Sequence, residues 1–308
     1  MSRSRAIRVA AWGVVVAGVA APAVRRRLRL PKPIVACAAY AAPVALCVAA
    51  RRNRARDVVM VTLNMWAYIA MYEMPNDDAD ALERRVRVRY PVLVDRVIGL
   101  GELPGVRLQR AFSRPGVTTR FDAVLVWAHW MWFIVPHGTI AYHLAFHRAR
   151  FPRAAASMYA VFDLGVLFYW AVPTAPPWYA ARSGVIKADP EMRRLMVEHG
   201  ELFWQDRWEP LYSFLGGNPL AAMPSLHFAT SVMAALLLAD IGPVEGAVGW
   251  AYATTLGFAL VHLGEHYVID LIAGLGLTLG VRRLERPLGP LLHRGSRAVA
   301  ALEARARA

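Results

Sequence analysis

The sequence predicts an all-α membrane protein, a polytopic bundle of transmembrane helices. Of its 308 residues, 57% are hydrophobic, and the mean hydropathy is +0.33. The apolar residues gather into stretches close to the roughly 17–25 residues that a helix needs to cross the hydrocarbon core of a bilayer. Runs of arginine separate several of these stretches, as in the loops of membrane proteins. A soluble fold does not account for this pattern.

Eight apolar stretches are candidate spans. They lie at residues 6–24, 33–50, 58–74, 121–146, 154–172, 226–241, 247–263 and 267–281. The first two are short, rich in alanine and closely flanked by arginines. We therefore predict an N-terminal membrane appendage over residues 1–57, a membrane-embedded core over 58–285 and a basic tail over 286–308. The first stretch is interpreted as a retained anchor, with a cleaved signal peptide as the alternative.

The net charge of +14 comes from 36 Lys and Arg residues against 22 Asp and Glu. A strongly basic protein can bind nucleic acid, but these arginines lie between apolar spans. That placement indicates anionic membrane lipids as partners and argues against nucleic acid. The arginine-rich tail is predicted to be cytoplasmic. If both N-terminal stretches cross the membrane, counting spans back from this tail puts the basic loop at 25–32 on the extracytoplasmic side. That position conflicts with the positive-inside rule.

Two longer polar stretches interrupt the apolar pattern. Residues 75–120 contain an amphipathic segment that predicts an interfacial helix, with a solvated connector as an equal alternative. Residues 174–223 are rich in proline and aromatic residues, which predicts an ordered cap lying on the membrane. The sequence leaves the oligomeric state open.

The fourth span contains three histidines, His129, His137 and His143. Their separations of eight and six residues lack the i, i+4 spacing of paired metal ligands. We expect histidines that face the interface or pack in the core. Pro136 is expected to kink the span. The two cysteines show no disulfide or zinc spacing, and no metal or other cofactor is expected.

Two segments carry chemistry, residues 223–227 and residues 264–270. Each opens an apolar helix, and the short loop between the spans at 226–241 and 247–263 puts both at one membrane face. His227 would lie in the first helical turn, where free N–H groups attract anions. His266 and Asp270 are four residues apart, which predicts that they share a helix face. The carboxylate would fix the imidazole tautomer and activate the other ring nitrogen.

The sequence here resembles the type 2 phosphatidic acid phosphatase superfamily, whose pattern is Pro-Ser-x-His followed by His-x-x-x-Asp. It is most similar to the branch that contains the fungal inositol phosphorylceramide synthases, which are inositolphosphotransferases. Three segments carry this resemblance, at residues 175–179 (Ala-Pro-Pro-Trp-Tyr), 224–227 (Pro-Ser-Leu-His) and 266–270 (His-Tyr-Val-Ile-Asp). It covers roughly residues 120–285.

The resemblance implies a core of six spans and a two-step reaction without metal. His266 would attack phosphorus and form a phosphohistidine, and Asp270 would orient it. His227 would protonate the leaving alkoxide and then deprotonate the acceptor. The implied reaction is transfer of a phospho-headgroup between lipid alcohols. Counting spans back from the cytoplasmic tail predicts that this site lies on the extracytoplasmic face. The alternatives are a phosphatase of lipid phosphates or isoprenoid pyrophosphates, and a transporter or structural membrane protein.

The chain also departs from the phosphatase pattern. Leu226 replaces a glycine, Ala259 and Leu260 replace a Ser-Arg pair, and no Lys-x6-Arg-Pro element precedes Pro224. The usual phosphate-binding cations are therefore missing, which favours a singly charged phosphodiester over a phosphate monoester. The residues predicted to bind substrate instead are Ser225, Tyr179, Arg182 and Lys187.

Overall fold

A computed structural model describes residues 2–187, 192–215 and 217–308. This part of the chain is helical, and the only β pairing found in it consists of isolated bridges, such as those that join Thr174 to Arg87 and to Ala221. The all-α prediction is confirmed. The chain divides into two compact units, one of residues 1–77 with 282–308 and one of residues 78–281. The predicted division at residues 57 and 285 stays a prediction.

The first unit contains helices α1 (Arg3–Leu28), α2 (Lys32–Ala49) and α3 (Arg54–Glu73). Helices α1 and α2 approach closely at Gly18, where an added Cβ would lie 2.5 Å from the carbonyl oxygen of Ala38. Glycine is needed here because any side chain would push the two backbones apart. The hairpin of α1 and α2 is thus a packed structure.

The basic last turn of α1 is partly neutralised by acidic side chains. Arg25 forms ion pairs with Glu73 at 3.2 Å and with Asp77 at 2.9 Å, and Arg26 pairs with Asp77. Burial alone would raise the pKa of Asp77, but hydrogen bonds from both arginines hold this pKa below its ordinary value. These pairs reduce the positive charge that conflicted with the positive-inside rule.

The second unit begins with short helices and continues with longer ones. They are α4 (Ala79–Arg85), α5 (Arg89–Ile98), α6 (Pro104–Phe112), α7 (Arg120–Trp130), α8 (Val135–Phe146), α9 (Phe151–Ala171), α10 (Pro177–Arg182), α11 (Leu195–Trp204), α12 (Trp208–Leu215), α13 (Leu226–Ala239), α14 (Pro243–His262) and α15 (Val268–Arg305), the last of which ends in the first unit. The polar stretches at 75–120 and 174–223 form several short helices each.

Among the described residues, four helices are long and apolar enough to cross a membrane: α1, α2, α9 and α14. Helices α7 and α8 qualify together as a fifth span, bent by 48° at a short break. Pro136 lies in the first turn of α8, which confirms the predicted kink. The stretches at 58–74 and 267–281 fall in α3 and α15, whose polar and charged residues place them outside this set. The protein is an integral membrane protein with several spans.

Helix α13 lies in the core of the second unit, packed against α8, α9 and α14. Its first residue, Leu226, is buried against Gly165 of α9, where no side chain would fit. Gly274 of α15 allows a similar approach, because an added Cβ would lie 2.6 Å from the carbonyl oxygen of Ser225. The start of α13 is therefore held by two glycines from two other helices.

Candidate functional site

Ser225 is the N-cap of α13. Its hydroxyl accepts a hydrogen bond from the Phe228 N–H at 3.3 Å, and its own N–H donates to the carbonyl oxygen of Asp270 at 3.0 Å. The helix begins at Leu226, so Pro224 precedes it instead of occupying its first turn. The consequence for the site is that His227 lies in the first turn, tied through Ser225 to the segment that carries Asp270.

A tight turn positions His266 before α15. Gly264 has a φ of +76°, and the N–H groups of Glu265 and His266 both donate to the carbonyl oxygen of Leu260, at 3.1 and 3.0 Å. Helix α15 begins only at Val268, so the prediction that His266 shares a helix face with its aspartate is wrong. The turn breaks the helical pattern because the residue at position 264 adopts the left-handed conformation that favours glycine.

The carboxylate of Asp270 nevertheless reaches back to His266. It lies in the first turn of α15, where one oxygen, Oδ2, accepts from the Tyr267 N–H at 2.9 Å and lies 3.2 Å from Nδ1 of His266. Asp270 is fully buried. A carboxylate at a helix N-terminus is a favourable acceptor for the backbone N–H and for the imidazole together.

The two site histidines face each other. Nδ1 of His227 lies 3.3 Å from Nε2 of His266. If Nδ1 of His266 donates to Asp270, its Nε2 must accept, so Nδ1 of His227 carries the proton of this contact. The structure thus brings together His227, His266 and Asp270, with the Nε2 lone pair of His266 pointing away from the carboxylate.

Helix α7 supplies a third histidine that the spacing argument assigned to the interface or the core. His129 is buried, and its ring centroid lies 4.9 Å from that of His227. Trp132 covers the same ring at 4.3 Å, and its indole N–H donates to Thr230 Oγ1 at 2.8 Å. His137, by contrast, packs on Phe162. Sequence spacing within one helix could not show which histidine meets another helix.

Asp95 of α5 caps the start of α15 from a distant part of the chain. The carboxylate is buried and accepts from the Ile269 N–H at 3.0 Å. Burial raises the pKa of Asp95 to about 6. This long-range cap fixes the helix end that carries Asp270, and no local motif indicated it.

A half-buried ion pair lies beside the nucleophile candidate. Arg194 binds the carboxylate of Glu265, the residue before His266, at 2.9 Å and 3.2 Å, in a two-bond arrangement. Its guanidinium also lies 4.1 Å from the ring centroid of Trp178, in the Ala-Pro-Pro-Trp-Tyr segment. Arg194 is thus a cation next to the site that the sequence analysis did not single out.

The residues predicted to bind substrate lie in different surroundings. Tyr179 donates to Glu83 at 2.8 Å, and the exposed Arg182 lies over Trp178 at 5.4 Å. Lys187 is exposed, whereas Ser225 is buried with its hydroxyl and N–H both engaged. Their roles stay predictions.

The apolar replacements in the two motifs do not line the site. Leu226 packs into α9 at Gly165, and Leu260 is fully buried in α14. The rings that contact His227 are those of Trp132, His129 and His266.

Comparison with known proteins agrees with this architecture, a membrane helical bundle whose centre contains two histidines and an aspartate. The model of the PAP2 superfamily matches residues 95–284. The chain therefore belongs to the PAP2 superfamily. This match includes His227, His266 and Asp270. No solved structure matches the chain.

Two curated relatives illustrate the likeness. An inositol phosphorylceramide synthase of Candida albicans is 31% identical over 183 residues, which cover 54% of this chain and 36% of that protein. A phosphoinositol dihydroceramide synthase of Bacteroides thetaiotaomicron is 30% identical over 121 residues, 38% of this chain and 39% of that protein. The chain thus aligns with little more than a third of the length of these relatives.

Proposed function

We propose that this protein is a membrane lipid phosphotransferase, which moves a phospho-headgroup from a phosphodiester lipid to the hydroxyl of a lipid alcohol. The observation that carries the proposal is the chain of contacts from Asp270 through His266 to His227. Inositol phosphate is the headgroup we favour, because both curated relatives are named for phosphoinositol transfer.

In the first step, the Nε2 lone pair of His266 attacks phosphorus, and the bond from phosphorus to the lipid oxygen breaks. His227 gives its proton to that oxygen, so a neutral lipid alcohol leaves and the headgroup phosphate is bonded to His266. Asp270 accepts from Nδ1 and stabilises the positive charge that develops on the ring.

In the second step, the acceptor hydroxyl occupies the place of the departed alcohol. His227 takes its proton while the oxygen attacks phosphorus, and the nitrogen–phosphorus bond breaks with its electron pair returning to Nε2 of His266. Water in place of the lipid alcohol would give hydrolysis. The residues that shape the acceptor side thus decide between transferase and phosphatase.

Charge supports a diester donor. A phosphate monoester carries close to two negative charges near neutral pH, and a diester carries one. Desolvating an unpaired charge is costly. The cation beside the site, Arg194, is already paired with Glu265, so this pair adds little net positive charge. Helix N–H groups near His227 suit a singly charged phosphate.

We further propose that the site faces away from the cytoplasm. Arg150, just before α9, and Arg153, in the first turn of α9, both bind Asp240 at the far end of α13 from His227. Basic loops of membrane proteins gather on the cytoplasmic side, which supports an extracytoplasmic position for the start of α13.

The test is competition between two donors. Purified protein receives equal concentrations of a phosphatidylinositol-like diester and a phosphatidic-acid-like monoester, with a ceramide-like alcohol as acceptor and chelator present. We expect inositol phosphate on the acceptor and an acid-labile phospho-adduct on the protein when the acceptor is omitted. His266→Ala is the control and should form neither.

Two results would contradict the proposal. Release of phosphate from the monoester, without any transfer product from the diester, would assign a phosphatase. An adduct trapped on His227 instead of His266 would reverse the two roles. Localisation of the site can be checked separately, with a membrane-impermeant reagent directed at a cysteine introduced at the exposed Lys187.

A further inference from the structure

His129 is held firmly beside the reacting pair. Tyr252 of α14 donates to the carbonyl oxygen of Ala128 at 3.2 Å, which fixes the backbone of α7 next to this histidine. On the same helix, Leu125 and Val126 pack in a buried cluster with residues of α14. The imidazole therefore keeps its position over His227 without a hydrogen bond of its own.

The Nδ1 atom of His129 is buried, and it has no hydrogen-bond partner in the described part of the chain. Only 7% of the residue is exposed. A buried polar group without a hydrogen-bond partner destabilises the fold. A histidine used only to fill space would be replaced at lower cost by an apolar ring such as phenylalanine.

Trp132 provides the contrast. It lies in the break between α7 and α8, where it contacts His227 and donates its indole N–H to Thr230. His129 has no such partner for its Nδ1 in the described part of the chain. The imidazole thus adjoins His227 and the histidine pair, between whose rings the proposed reaction puts the phosphate of a substrate.

We propose that His129 is a substrate-binding residue, whose neutral imidazole donates one N–H to a non-bridging phosphoryl oxygen of the phosphodiester. This role rests on the proposed function of the site. A neutral donor suits a singly charged phosphate, and it supplies part of the stabilisation that the missing cations would give. It is strongest in the transition state, where charge on the phosphoryl oxygens is stabilised by preorganised donors.

The experiment compares three substitutions at this position. His129→Phe keeps the aromatic volume and removes both nitrogens, whereas His129→Asn and His129→Gln place an amide N–H near Nδ1 and Nε2 respectively. We expect His129→Phe to lower kcat/KM for transfer by about 100-fold, as removal of a single oxyanion donor does. One of the two amides should recover activity to within about tenfold of wild type.

A second readout does not depend on the lipid. Orthovanadate, a phosphate analogue, is added to each purified variant, and the shift of Tm is measured in detergent. Vanadate should raise the Tm of the wild type and of the rescuing amide, but not that of His129→Phe. His137→Phe, the same change on the same bent pair of helices, is the matched control and should behave as wild type.

The outcomes separate the possibilities. If His129→Phe transfers the headgroup at the wild-type rate and shows the wild-type vanadate shift of Tm, then His129 only fills space. That result would overturn the proposal. Loss of transfer in all three variants with vanadate binding intact would indicate a proton relay and would also overturn it. If the wild type transfers no lipid headgroup, the proposed function fails, while the vanadate shifts still decide whether His129 binds the anion.

Discussion

Nδ1 of His227 and Nε2 of His266 lie 3.3 Å apart, so the acid–base candidate and the nucleophile candidate share one hydrogen bond. In the proposed reaction, a substrate phosphate enters between the two rings and breaks this hydrogen bond. His227 then points its N–H toward the oxygen that leaves, and His266 points its lone pair toward phosphorus. The contact in the free protein therefore sets the tautomers that the reaction needs.

His227→Ala should be rescued by a good leaving group. With a lipid alkoxide leaving, we expect loss of a general acid to slow adduct formation by about 10²–10⁴-fold. With a p-nitrophenyl phosphodiester, whose leaving group needs no proton, the loss should shrink to about tenfold or less. Rapid-quench measurement of the adduct on His266 compares the two. Equal losses with both donors would mean that His227 does not act as the acid.

Asp270→Asn should fold and react slowly. The amide can still accept from the Tyr267 N–H, but it cannot stabilise a positive imidazole on His266. In a serine protease triad the analogous change costs ~10⁴ in rate, and we expect at least about a 100-fold loss in kcat here. A Tm close to wild type is the control for folding. Wild-type rates across pH would limit Asp270 to a structural role.

Arg194→Lys should weaken substrate binding more than Arg182→Lys. Lysine keeps the charge but loses both the two-bond contact with Glu265 and the planar stacking on Trp178. We expect KM to rise about tenfold, the value of one charge-assisted hydrogen bond. Arg182→Lys is the matched comparison on the exposed side of the same indole. A larger rise in KM for Arg182→Lys would instead favour Arg182, the cation predicted from the sequence.

Asp95→Asn should flatten the pH dependence of stability. The folded pKa of about 6 lies above the ordinary value of 3.8, so the folded protein binds this proton more tightly than the unfolded chain does. Protonation of Asp95 therefore stabilises the folded state by at most ~3 kcal/mol. This stabilisation is fully present below about pH 4 and is lost as the pH rises through 6. Asparagine does not titrate and keeps an acceptor for the Ile269 N–H. Tm measured between pH 4 and 8 tests this.

Two outcomes would bear on that argument directly. The same change of Tm with pH in wild type and Asp95→Asn would show that another group is responsible. Asp95→Ala removes the acceptor altogether and should lower Tm at every pH, because the Ile269 N–H at the start of α15 loses its partner.

Activity should survive chelation. In the described part of the chain, no three His, Cys, Asp or Glu side chains come together as a metal site would require. We expect transfer rates with excess EDTA to match those without it. Loss of activity in EDTA that added magnesium or zinc restores would contradict the prediction.

Most of the site residues that the sequence predicts come from short local motifs. Pro224 to His227 and His266 to Asp270 are short segments at helix starts, where composition and spacing constrain the backbone strongly. Even there, the helical relation between His266 and Asp270 was wrong, because Gly264 introduces a turn that delays the helix to Val268. The side-chain contact forms through the first turn of α15 instead.

Contacts between distant segments were beyond sequence reasoning. The three histidines of the bent span look alike by spacing, and only the ring contact between α7 and α13 shows that His129 meets His227. Arg194 and Asp95 stand in polar stretches among many other charged residues. Their partners, Glu265 and Ile269, lie 71 and 174 residues further along the chain, so no local pattern could select them.

Helix α13 has only 14 residues and is about 21 Å long at 1.5 Å per residue, whereas the hydrocarbon core is ~30 Å thick. With Asp240 at one boundary, His227 would sit roughly 10 Å below the other. A phosphate must then sink beneath the headgroup plane, or the bilayer must thin locally around the bundle. Both lipids could reach this depth sideways, without their acyl chains leaving the membrane, while water is scarce there. A short helix would in this way favour an alcohol over water as the acceptor.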